Sequence, residues 1–350
     1  MTAMSKIRKK KNLHIGRCFG CKETKPLTEE HIIPEALGGT LSAFLLCKKC
    51  NSETGTQIDS VLERQLNSLC IQLGIKGRRG KRNNIIVTGL DTGEKFRVSQ
   101  EGATLAKPKI TINKQDNGQA YLEELRTSSE IEMSKILKGI TRKYGIEALE
   151  GMTTTKVRGN LEYEREEVIG GPLSLRAIAK IAYTFLAKNR IDDKLFRETF
   201  DPIREYIFKN KDDDFVAINY IHTKFIDDWA SGPIHAIDIH FDSMKRNVIG
   251  YIQLFGAIRF SVILAEICPW EIDEEDLTYC FDPVKKCKIP IREMFISNDV
   301  NIQEMRPIKN QTTDLMNHEF KTRMEMILKC RIFKSKGNPT VEVMNRNTEI

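Results

Sequence analysis

Hydrophobic residues change their spacing several times along the chain, and each change predicts a different kind of element. Between Gly55 and Cys70, the residues Ile58, Val61, Leu62, Leu66 and Leu69 recur at the intervals of one helical face, and Gly74 marks the end of that helix. After a Gly- and Arg-rich stretch at 76–83 the period falls toward two. Residues 85–90, 95–98, 108–112 and 120–122 then read as short strands separated by Asp-Thr-Gly and Asp-Asn-Gly turns, a small antiparallel meander. Helical spacing returns at 128–144, 173–188 and 192–208, and the middle helix gathers Leu175, Ile178, Ile181, Ala182 and Phe185 on one face. Apolar segments at 234–241, 248–255 and 258–266 predict further strands. The fold class is therefore α+β, with no internal repeat and no low-complexity tract beyond the basic segments.

Length and charge refine this picture. At 350 residues the chain exceeds a typical domain of about 100 to 200, which favours two domains over one. The Gly- and Arg-rich stretch is the clearest boundary, giving a basic arm at 1–16, a head at 17–75, a linker at 76–83 and a larger α+β region at 84–350. An apolar share of 40% with 29% charged residues excludes collagen-like, coiled-coil and wholly disordered chains. The longest apolar run, 252–267, carries Arg259 and Glu266, so no membrane span is expected. The basic run at 6–11 leads into Asn12, His14 and Arg17 instead of an apolar stretch, which predicts a cytoplasmic protein. Residues 1–83 hold 16 Lys and Arg against 7 Asp and Glu, whereas the rest holds 39 against 41. The first quarter is the part suited to a polyanion, with Lys76, Arg78, Arg79, Lys81 and Arg82 as candidate phosphate contacts. A solvated tail is the other reading of the run at 6–11.

Four of the nine cysteines are organised: Cys18 and Cys21 form one C-x-x-C, Cys47 and Cys50 another, on either side of a 25-residue insert. Two such knuckles can converge on one tetrahedral zinc ion, and this reading outweighs redox-active or merely buried thiols. Cys70, Cys268, Cys280, Cys287 and Cys330 lack such spacing and read as small buried hydrophobes.

Between the knuckles lies Thr28-Glu-Glu-His-Ile-Ile-Pro-Glu-Ala-Leu-Gly-Gly-Thr40, and Asn51 follows the second knuckle at once. This arrangement resembles the zinc-ribbon branch of the HNH endonuclease superfamily over about residues 17–75. The resemblance implies a ββα-metal finger that hydrolyses phosphodiester bonds of DNA, duplex or branched. It implies His31 as general base, Glu30 and Asn51 as ligands of a catalytic Mg²⁺ or Mn²⁺, and a structural Zn²⁺ on the four cysteines. Such chemistry asks for a base near neutral pH and hard oxygen donors around a divalent cation. Adjacent strand residues face opposite ways, so Glu30 and His31 share a site only where the backbone bends; Pro34 and Gly38-Gly39 are consistent with a bend. The sequence departs from the family at Glu30, where Asp is commoner, and at Ser42, where the middle Asn of the motif stands. Glu29 and Glu35 are read first as solvated surface acids.

The remaining candidates carry less. His235 and His240 sit five apart on a predicted strand and do not form a metal pair; His14, His222 and His318 stand alone. Trp229 and Trp270 read as core or interface anchors. No P-loop and no Gly-x-Ser-x-Gly elbow occurs. The larger region would recognise a target, dimerise, bind a regulatory partner or gate the head, as in bacterial and phage defence or mobility systems. The rival to a nuclease is a zinc-ribbon module that binds nucleic acid or protein without cutting.

Overall fold

The computed structural model describes residues 14–77, 80, 82–114, 116, 120–144, 152–157, 161–163, 169–189, 198–211, 215–218, 223–224, 233–242, 244, 246–267, 276–289, 295–296 and 340–345. The run at 6–11, Arg78, Arg79, Lys81, His222, Trp229, Cys268, Trp270, His318 and Cys330 lie outside them.

The chain opens with β1 (His14–Arg17), β2 (Thr24–His31) and β3 (Ser42–Cys47), followed by α1 (Lys48–Thr54), a π-helical turn (Gly55–Asp59), α2 (Ser60–Gln65) and α3 (Asn67–Gln72). Next come β4 (Ile85–Thr88), β5 (Lys95–Ser99), β6 (Gly102–Leu105), β7 (Lys109–Lys114), β8 (Ala120–Thr127), α4 (Glu130–Tyr144) and β9 (Met152–Val157). After α5 (Pro172–Asn189) and α6 (Asp201–Lys209) the chain forms β10 (Val216–Ile218), β11 (Thr223–Lys224), β12 (His235–Asp242), β13 (Asn247–Leu254) and β14 (Ile258–Ala265). It ends with β15 (Leu277–Asp282), β16 (Cys287–Lys288), β17 (Phe295–Ile296) and β18 (Thr340–Asn345). The fold is α+β, an N-terminal ββα region joined to a larger, sheet-rich part.

Two compact units result, Met1–Leu66 with Val168–Arg331, and Asn67–Glu167 with Ile332–Ile350. The units part at Leu66–Asn67 and Glu167–Val168. Helix α5 belongs to the first. Its spacing predicts one apolar face, yet every residue from Arg176 to Ala187 is buried, as in a helix covered on all sides.

In the first unit, α5 lies against an antiparallel sheet of order β10-β14-β13-β12-β15-β16. Gly250 of β13 permits the approach: a Cβ there would stand 2.9 Å from that of Ala182. The other side of α5 takes the head, where the Tyr183 hydroxyl donates to the Phe19 carbonyl at 3.1 Å. The antiparallel sheet β1-β2-β3 and the helical run from Lys48 therefore rest on a helix more than a hundred residues downstream. The predicted helix at 55–70 is observed starting earlier, at Lys48. It passes through the π turn, breaks at Leu66 and stops at Gly74, whose φ of +68° suits glycine.

The second unit holds two sheets in place of the single meander predicted. One has order β4-β5-β6 and the other β7-β8-β18-β9, so a strand from the end of the chain lies between β8 and β9. Helix α4 packs Met133 and Ile140 on Leu122 and Leu125 of β8. Strand β6 was not legible because Gly102-Ala-Thr-Leu105 offers no alternation.

His235 joins the head to the large sheet. Its Nδ1 accepts the Phe255 N–H at 3.3 Å, so the ring proton sits on Nε2 and is donated to the Leu37 carbonyl at 2.9 Å. Protonation would set two N–H groups against each other. Burial pushes the imidazole pKa down to about 4, despite the Leu37 carbonyl and the charge of Asp282. The unfolded chain, titrating near 6.5, then binds the extra proton first, so this contribution is full above that value and is lost as pH falls toward 4. Urea unfolding at several pH values should show it. Wild type should lose about 3 kcal/mol more than His235→Gln between neutral pH and the acid end of this window.

Candidate active site

The four cysteines converge. Cys18 and Cys21 lie in the turn after β1, Cys47 ends β3 and Cys50 sits in the first turn of α1. Their sulfurs all lie within 4.8 Å of one another, and this is the one such group among the described residues. An ion about 2.3 Å from each thiolate would hold the sulfurs about 3.8 Å apart; Cys21 and Cys47 stand 4.0 Å apart. The Cys47 N–H donates to the Cys18 sulfur at 3.2 Å, and a Cβ on Gly20 would come within 2.9 Å of the Cys50 sulfur, so the knuckle needs its glycine. The Cys50 thiol, donating to Cys18, and the Cys47 N–H bring the Cys18 pKa down to about 4, while Cys50 is pushed up in return. The donor set fits Zn²⁺.

On the other side of this cluster, β2 pairs with β3 through a bulge. Thr28 faces Leu46 but Glu29 faces Phe44, leaving the buried Leu45 as the extra residue. Beyond it, His31 stands opposite Ser42 and Glu30 opposite Ala43. Glu29, His31, Ser42 and Phe44 therefore share one face, and Glu30 points to the other. The bend that would bring Glu30 beside His31 is absent; Pro34 and Gly38-Gly39 instead shape the loop after His31. There Gly38 has φ 90°, and a Cβ on Gly39 would fall 2.0 Å from the Ile33 carbonyl oxygen.

Asn51 does reach β2. Its Nδ2 donates to the Glu29 carbonyl and to Thr28 Oγ1, both at 3.0 Å, and Thr28 Oγ1 in turn donates to the Leu46 carbonyl at 3.0 Å. This chain fixes which end of the amide is nitrogen and turns Oδ1 away from the strand. His31 is partly buried, and its ring makes no hydrogen bond among the described residues. The Ser42 hydroxyl donates to Glu29 Oε1 at 2.7 Å. His14 stacks on the exposed Phe44 ring at 3.8 Å between centroids.

Glu30 is engaged elsewhere. Lys180 of α5 bonds both Glu30 Oε1 and, at 2.5 Å, Asp59 Oδ2 of the π turn, and all three side chains are buried. Burial raises the pKa of Glu30 and of Asp59 against the pull of Lys180. For Lys180, burial works downward but the two carboxylates outweigh it, so it stays charged. Withdrawing Glu30 from a buried pair of this kind costs about 3–5 kcal/mol. For the divalent ion that the motif implies, Asn51 Oδ1 is a suitable donor and Glu30, as placed here, does not fit. Neither Asp59 nor Lys180 was singled out in the sequence. Asp59 sits within an amphipathic helix, and Lys180 lies on α5 away from the apolar stripe of Leu175, Ile178, Ile181, Ala182 and Phe185, so spacing marks neither.

The candidate phosphate contacts divide. Lys76 is exposed, whereas Arg82 donates to the Ile75 carbonyl at 2.9 Å and to Asn67 Oδ1 at 3.1 Å. His235 and His240 serve different partners, the latter bonding Asp276 at 3.0 Å. No helix among the described residues is long and apolar enough to cross a membrane.

Paired strands, a helix and a four-cysteine cluster able to hold a zinc ion surround the His31 segment. The family described as HNH endonuclease matches residues 18–67. No curated protein and no solved structure matches the chain.

Metal analysis should find one zinc per chain, lost in Cys47→Ser together with a lower melting temperature of the first unit, because a structural zinc is part of the folding free energy of the segment that binds it.

Proposed function

We propose that this protein is a metal-dependent HNH-type endonuclease that hydrolyses phosphodiester bonds of DNA. The observation that carries the reading is the family match over residues 18–67, coinciding with a head whose outer face holds His31 and whose first helical turn holds Asn51. In this reading His31 takes the proton from the attacking water, its ring nitrogens unclaimed by the described part of the protein. Asn51 contributes an amide oxygen to a bound Mg²⁺ or Mn²⁺, which when present supplies positive charge to the phosphorane and the leaving oxygen. The zinc cluster keeps β3 and α1 in register with β2, so that residues 20 positions apart, His31 and Asn51, stay on one scaffold. The basic first quarter of the chain supplies affinity for phosphates without reading sequence.

Cleavage of plasmid and branched DNA with Mg²⁺ or Mn²⁺ tests this directly. His31→Ala should retain zinc and DNA affinity while cleavage drops by about 10² to 10⁴ fold. Unchanged cleavage in purified His31→Ala, or no cleavage by wild type, would leave a zinc-ribbon module that binds without cutting. Neutralising Lys76, Arg78, Arg79 and Lys81 together should weaken binding to all sequences alike and flatten its salt dependence, measured by fluorescence anisotropy across salt concentrations. Arg82 is left out of this set because its guanidinium is bonded to the Ile75 carbonyl and Asn67 Oδ1.

A further inference from the structure

We propose that the stacked rings of Phe44 and His14 form a platform for one unpaired nucleobase, so that the head takes DNA at forks, bulges and other places where a base has left the helix. This rests on DNA as the ligand, from the function proposed above, and requires no cleavage to be true.

Phe44 stands where an outward strand position ordinarily carries a polar side chain. It lies in β3 directly opposite Glu29, on the face that holds His31 and Ser42, and it is 42% exposed. His14 reaches the same face, because it pairs with Leu27, and Leu27 alternates with Glu29 and His31 along β2. The two rings meet across β2 with centroids 3.8 Å apart and planes 23° from parallel. One side of Phe44 is thus held by His14, and among the described residues no second ring covers the other. A ring fixed in its plane without being buried can take a further flat ring with little loss of freedom.

The surroundings select the occupant. Across this face the neighbours of Phe44 are Glu29, His31 and Ser42, all polar, so there is no contiguous apolar patch of the size a protein partner covers. A base needs no more than the ring, since every base has a π face. Charge agrees, with 16 Lys and Arg against 7 Asp and Glu over residues 1–83 to draw a phosphate backbone to this part of the chain. His31 stands opposite Ser42, and Phe44 follows two residues further along β3. The two are therefore diagonal neighbours, about 7–8 Å apart, a span that one nucleotide bridges. A phosphate at His31 would bring the adjoining base over Phe44. Inside a duplex that base is covered on both sides by its neighbours, so only an unpaired base, or one turned out of the helix, presents a face to the ring.

The test uses the full-length protein without added Mg²⁺ or Mn²⁺ and two probes of one sequence, a duplex with a single unpaired 2-aminopurine and its fully paired counterpart. Fluorescence anisotropy gives the affinity, and the 2-aminopurine emission, which falls when the base stacks, reads the contact itself. Wild type should bind the unpaired probe more tightly and quench it. Phe44→Leu should keep its melting temperature and its affinity for the paired duplex, while losing the quenching and about 5 to 100 fold in affinity for the unpaired probe. Phe44→Trp should restore both, and His14→Ala should lose a smaller part. Equal binding of the two probes by wild type, without quenching, overturns the platform and leaves the DNA reading standing. So does a Phe44→Leu protein that behaves as wild type, which would free the ring for a protein partner. Phe44→Leu weakened equally on both probes, with a lower melting temperature, would make the stack a brace of the sheet and overturns the platform as well. Wild type that binds neither probe sinks the DNA reading beneath it.

Discussion

The ammonium of Lys180, shared by Glu30 and Asp59, is the contact on which the geometry of the head depends. Three charged side chains in an apolar interior are tolerable only together, since removing one leaves the others uncompensated at a cost of several kcal/mol, on the order of 3–5. The consequence is positional. A strand, a π turn and a long helix, far apart in sequence, are held to one arrangement by a group that accepts few alternatives, whereas apolar contacts alone would tolerate sliding. The π turn fits this picture: widening the helix at Gly55–Asp59 is what presents Asp59 to α5.

The thiol cluster and the Lys180 group restrain the same short segment from opposite ends. The thiol cluster ties the start of β2's hairpin to the first turn of α1, while the ion pairs tie the last part of β2 to the π turn and α5. Between them lies the bulge at Leu45, which sets the parity of Glu29, Glu30 and His31. A one-residue change of register there would exchange every inward and outward side chain of the strand. The site face is thus a matter of counting along β2, and the two anchors keep the count from slipping.

Much of this was legible in the sequence because it is local. The C-x-x-C pairs, the helix stop at Gly74 and the strands 235–242, 247–254 and 258–265 follow from spacing that a few neighbouring residues carry. What was not legible is non-local. Nothing in the amphipathic pattern of α5 announces that part of its polar side would be covered by a head a hundred residues earlier, so spacing gives no sign of the role of Lys180. The alternation rule did foresee that Glu30 and His31 diverge, but the choice between a bend and a straight strand rested with a partner, Lys180, that spacing could not supply. The placement of β18 between β8 and β9 is of the same kind: a pairing between residues as far apart as Glu124 and Met344 leaves no local trace.

The first compact unit is made of two chain segments with residues 67–167 between them, and this has a bearing on the order in which the protein is synthesised. The thiols and His31 leave the ribosome early, yet the helix against which the head rests follows more than a hundred residues later. At about 5 to 20 residues per second that interval is several seconds or more. During it the underside of β2 has no Lys180, and the carboxylates of Glu30 and Asp59 remain in water. A chain interrupted before α5 would carry the full motif without the arrangement that orders it, so the placement of α5 makes completion of the scaffold a condition for assembling the head.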